Sequence, residues 1–103
     1  MNPNVARCHL LARILAADGL MTDTERAALG AAMERHGLDD AQREAVRHFE
    51  GTDGASAALA SLPEAERRQI LDEVLAASLV DGRLSPLELQ TVKEITQELG
   101  LGD

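Results

Sequence analysis

The stretches ADGLMTDTE at residues 17–25 and VDGRLSPLE at 80–88 spell one pattern twice, 63 residues apart (Asp18 to Asp81). Each runs Asp-Gly, then any residue, an apolar one, a hydroxyl, two more residues and a Glu. Local hydrogen bonding accounts for most of it. Gly19 and Gly82 supply the positive φ that ends an incoming helix. Thr22 and Ser85 are N-caps whose hydroxyls accept from the third helical N–H, and Glu25 and Glu88 stand at that third position to reach back to the cap. Leu84 and Leu89 form a hydrophobic staple in the second copy; Met21 and Arg26 make an imperfect one in the first.

The Asp residues are left over. A carboxylate in the last turn of a helix meets the negative end of the macrodipole, so Asp18 and Asp81 need a compensating partner. One option is a backbone N–H across the Gly turn. The other is a cation shared with the Glu seven residues on. The spacing matches the second half of an EF-hand loop, with Asp fifth, Gly sixth and Glu twelfth. The first half is missing: Ile14 and Ala16 in one copy, and Ala77 and Leu79 in the other, hold the places of the first and third ligands. A hard divalent cation, calcium or manganese, therefore requires the two turns to approach and pool Asp18, Glu25, Asp81 and Glu88. No other cofactor is indicated.

Outward from the turns, apolar residues recur at helical spacing and no stretch alternates like a strand. Val5, Cys8, Leu11, Ile14 and Leu15 share a face of the first helix, with Arg7 and Arg13 opposite. Ala28, Leu29, Ala32 and Met33 mark the second, which Gly37 stops just after His36. A third opens at Asp39, with Gln42 completing a capping box, and runs to about Phe49. After the Gly51–Gly54 turn, Ala55 to Ser61 makes a short helix. Pro63 takes the first position of the next, which turns Ile70, Leu71, Val74, Leu75 and Leu79 inward and Glu66, Arg67, Asp72 and Glu73 mostly outward. The last helix starts at Ser85, presents Leu89, Val92, Ile95 and Leu99, and closes at Gly100. At the same offset Gly37 meets Gly100, Leu38 meets Leu101 and Asp40 meets Asp103.

The expected fold class is all-α: a compact bundle of about six helices with an internal pseudo-two-fold repeat of a helix–turn–helix unit. The units, about 4–37 and 64–100, are joined by 39–62 in a single domain spanning 1–103. Neither unit buries its apolar face alone, so the two should pack as an antiparallel four-helix core with the connecting helices at its side.

Composition narrows function by exclusion. The 103 residues carry 10 basic and 18 acidic side chains, a formal net charge of −8. That field repels phosphate backbones, and with one aromatic residue, Phe49, there is no platform for stacking bases. Nucleic acid is not an expected partner; basic protein surfaces and cations are. No apolar stretch nears the ~20 residues of a membrane span, and the first residues lack a signal peptide's features, so a cytoplasmic location is expected. Cys8, the one cysteine, excludes an internal disulfide and sits on an apolar stripe as a small core residue. His9, His36 and His48 show no metal-ligand spacing with it, and Ser56, Ser61 and Ser78 have no base or oxyanion motif alongside. The inventory does not assemble an enzyme.

The paired motif, with the closing HGL (36–38) and LGL (99–101), resembles the signature of the TerB-like family of bacterial tellurite-resistance proteins. It is also similar to the related N-terminal domain of a membrane-anchored DnaJ-type co-chaperone. The resemblance covers nearly the whole chain. It implies a compact helical fold with internal pseudo-symmetry, a stress-response role, and a divalent-cation site mapping to Asp18, Glu25, Asp81 and Glu88. Leu20 and Arg83 after the Gly, and Thr24 and Leu87 before the Glu, replace acidic residues the family often has there. The leading expectation is a binding or adaptor module whose acidic helical surface docks a protein partner or a second copy of itself. The alternative is a cation-binding protein of the tellurite-resistance type.

Overall fold

The computed structural model describes residues 1–102; Asp103, which the sequence aligns with Asp40, lies outside them. Among the described residues there are six α-helices and no strands: α1 (Pro3–Leu15), α2 (Asp23–Arg35), α3 (Asp40–Arg47), α4 (Ala55–Ala60), α5 (Glu64–Ser78) and α6 (Pro86–Glu98). Short 3₁₀ turns at Thr52–Gly54 and Leu79–Asp81 lead into α4 and out of α5. The chain is thus the all-α bundle that its periodicity predicts.

Local chemistry sets most boundaries. Asn2 caps α1, its side chain accepting from the Asn4 N–H with Pro3 at the first helical position. Complete capping boxes open α2 (Thr22 with Glu25), α3 (Asp39 with Gln42) and α6 (Ser85 with Glu88). Pro63 is the N-cap of α5 and not its first helical residue, one position from the expectation.

The arrangement around α1 differs from the simple four-helix core. Nine of its 13 residues are buried, Ala6, His9, Leu10 and Ala12 among them as well as the predicted stripe. The helix is central, touching α2, α3, α4, α5 and α6, and its closest partner is the short α4 of the connecting segment. Ala6, Cys8 and Ala12 explain the centrality, because small side chains let neighbours approach on more than one side. Arg7 and Arg13 escape through the gaps to Glu73 and Glu98.

Two leucines placed inward by spacing lie outside: Leu79 is 43% exposed and Leu89 47%. Leu79 falls where α5 tightens into its 3₁₀ turn, which shifts its direction. On α6 the inner face is Glu88, Val92, Ile95 and Leu99, because the capping box turns Glu88 toward the protein and carries Leu89 about 100° away.

Candidate functional site

The four carboxylates singled out by sequence divide into two buried and two exposed. Glu25 and Glu88 are 6% and 5% exposed. Glu25 Oε1 accepts from the Thr22 N–H at 2.9 Å, and Thr22 Oγ1 accepts from the Glu25 N–H at 3.1 Å. Glu88 Oε1 accepts from the Ser85 N–H at 2.8 Å, and Ser85 Oγ accepts from the Glu88 N–H at 3.2 Å. Asp18 is exposed and its Oδ1 accepts from the Leu20 N–H at 3.2 Å, the Asx turn that spans Gly19 (φ 89°). Asp81 is exposed at the end of its 3₁₀ turn, before Gly82 (φ 91°).

The second turn does lie against the first copy, through contact of Leu79–Asp81 with α2. The carboxylates are not thereby pooled. Among the described residues no three His, Cys, Asp or Glu side chains stand close enough to share a metal ion. Glu25 and Glu88 each aim one oxygen at the N–H of their own helix N-cap. The residues as placed do not fit a shared hard-cation site.

A polar cluster that sequence reasoning did not foresee joins α1, α2 and α5. His36 Nε2 lies 2.7 Å from Glu73 Oε1, and Arg7 Nη1 donates to the same carboxylate at 3.4 Å. Arg7 Nε is buried without a hydrogen-bond acceptor among the described residues. Cys8 lines the same narrow gap. Burial pushes its thiol up to about 11, which leaves it protonated and a poor nucleophile at neutral pH. A single-residue pattern had set Arg7 and Glu73 on outer faces. Only the meeting of three helices joins them.

An open hollow of about 500 Å³ lies over the second Asp-Gly turn, lined by Asp81, Arg83, Leu84 and Glu88 among others. A less open groove of about 370 Å³ lies between α2 and α3. Leu29, Met33 and Val46 form its floor and are all but fully buried. Met21 and Phe49 form its lips; Phe49 is 44% exposed. Arg26 and Arg47, both exposed, also line it. The sequence held one signal for this site, since Phe49 is the sole aromatic residue and follows α3 where a Gly is the ordinary choice.

Fold and surface together define a small all-α domain with twin capped Asp-Gly turns and an apolar groove between α2 and α3, in which no described helix is long and apolar enough to cross a membrane. It belongs to the TerB family: the family model for tellurite resistance protein TerB matches residues 4–103. No curated protein and no solved structure matches the chain.

Proposed function

We propose that this chain is a non-enzymatic docking module that serves bacterial tellurite or related stress resistance by holding a protein partner. The observation that carries the reading is the α2–α3 groove, where the core residues Leu29, Met33 and Val46 are reached between a half-buried Met21 and an exposed Phe49. Family membership supports the setting. Glu25, Glu88 and Asp18 are engaged with backbone N–H groups of their own turns, and burial keeps the Cys8 thiol protonated. These engagements favour surface recognition as the function the molecule is best built for.

The test is photocrosslinking in a bacterium that carries this chain and depends on it for tolerance of tellurite. A photoreactive residue replaces Phe49, and a second replaces an exposed position remote from the groove, such as Lys93. One protein captured from position 49 and not from position 93 is the expected result. A chain that restores tolerance while capturing nothing from either position overturns the reading.

A further inference from the structure

Three helices of this protein end in the same hydrogen-bonded turn. After α2, the Leu38 N–H donates to Met33 O at 3.0 Å and the Gly37 N–H to Glu34 O at 3.1 Å. After α6, Leu101 donates to Thr96 O and Gly100 to Gln97 O, each at 2.9 Å. After α3, Glu50 donates to Ala45 O at 2.8 Å and Phe49 to Val46 O at 3.3 Å. This is the Schellman arrangement, and its pivotal residue adopts a left-handed backbone that is cheap for Gly and costly for a side chain with a Cβ. The pivots are Gly37 (φ 70°), Gly100 (φ 71°) and Phe49 (φ 56°). Phe49 is the one non-Gly residue with positive φ among those described.

Core packing repays that strain only in part, because the residue is 44% exposed. The strained turn sets Phe49 in the lining of the α2–α3 groove, together with Met21, Met33 and Val46. Backbone strain that holds an aromatic side chain at the edge of an apolar groove is a feature of binding sites. Methionine walls suit them too, since a flexible thioether adapts to its occupant.

Charge selects that occupant. Several arginines are engaged internally: Arg7 with Glu73, Arg13 with Glu98, Arg43 with Leu38 O, and Arg67 with Leu62 O and Leu99 O. Arg47 makes no ion pair among the described residues, and Arg26 has only the exposed Asp23 at 3.9 Å. Both of these loosely held cations border the groove of a protein whose net charge is −8. A second copy of so acidic a chain is disfavoured by repulsion. We infer that the α2–α3 groove binds an amphipathic helix of a partner protein, its apolar face packed on Phe49 and the methionines and its flanking Asp or Glu residues paired with Arg26 and Arg47. This rests on the docking role proposed above and adds the site's ligand chemistry.

The probes are two synthetic helical peptides with Leu at i, i+3, i+4 and i+7, one flanked by Glu and one by Lys. Binding to the full chain is followed by NMR shifts and fluorescence anisotropy. The Glu-flanked peptide should bind and perturb Met21, Met33 and Phe49, and the Lys-flanked one should bind at least tenfold more weakly. Arg26→Glu with Arg47→Glu should reverse that preference. Phe49→Gly should weaken binding about tenfold or more while leaving the melting temperature equal or higher, because the strain is relieved. Loss of stability in Phe49→Gly would make the ring a structural element and overturn the inference. So would equal binding of both peptides, shifts mapping elsewhere, or a dimer that Phe49→Gly dissociates. If position 49 still crosslinks a protein whose captured segment is not acidic and helical, the docking role stands and this inference falls; if it crosslinks nothing, both fall.

Discussion

At the scale of single residues, hydrogen bonds within each turn explain the Thr22–Glu25 and Ser85–Glu88 pairs and Asp18 of the repeated motif. Thr22→Ala or Ser85→Ala removes the hydroxyl that accepts the Glu N–H, and should cost about 1 kcal/mol each in urea unfolding. Asp18→Asn keeps an oxygen for the Leu20 N–H and should change stability by less than about 0.5 kcal/mol. Excess calcium or manganese should leave the melting curve where chelator leaves it. A rise of several degrees that disappears in Asp18→Asn with Asp81→Asn would instead establish a cation site at the turns. His9 is a different kind of residue. It is 1% exposed, its Nδ1 lies 2.8 Å from Thr52 Oγ1, and burial holds it below its ordinary value of 6.5. The folded state therefore prefers neutral His9, and below pH 6.5 the unfolded chain takes up the proton first. Stability should be complete above that pH and decline as pH falls toward 5. In His9→Gln, measured as urea midpoint against pH, that part of the slope should vanish.

At the scale of elements, the ties between helices are specific and few. Arg13 of α1 grips Glu98 of α6 with two bonds of 2.9 Å, and Ser56 of α4 donates to the same carboxylate. The Arg13 hydrogen bond is the main cause holding Glu98 below its ordinary 4.5. Its contribution is thus present above that pH and is lost as the carboxylate protonates in stronger acid, separately from the His9 window. Glu98 is 40% exposed, so water screens much of the attraction. A double-mutant cycle on Arg13→Ala and Glu98→Ala should give a coupling of about 1 kcal/mol, shrinking in high salt. Element starts and stops were legible in sequence: three capping boxes, Gly37 and Gly100 each act through atoms within a few residues. The end of α3 was legible only as a boundary. That its pivot is a strained phenylalanine, not a glycine, is a property of backbone angles that residue spacing does not reveal.

At the scale of the whole molecule, α1 is the axis on which the other five helices are assembled. Leu10 and Leu11 are 0% and 2% exposed at its middle, and truncating either to Ala should cost about 2–5 kcal/mol. Against a total stability of about 5–15 kcal/mol for a domain of this kind, that is a large share. Urea midpoints should fall accordingly, and the Leu10→Ala, Leu11→Ala double variant should lose its cooperative transition. The all-α class and the turn chemistry were within reach of the sequence by itself, because helical periodicity, caps and glycine pivots are short-range. The family signature in the turns is short-range for the same reason. Only the tertiary structure decided that α1 is central, that His36, Glu73 and Arg7 meet, that no three of the described turn carboxylates gather around one point, and that Phe49 lines a groove with Arg26 and Arg47. Each of those depends on which faces of distant helices come together. That choice is made by the packing of Ala, Leu and Met side chains over the whole core, and no local run of residues encodes it.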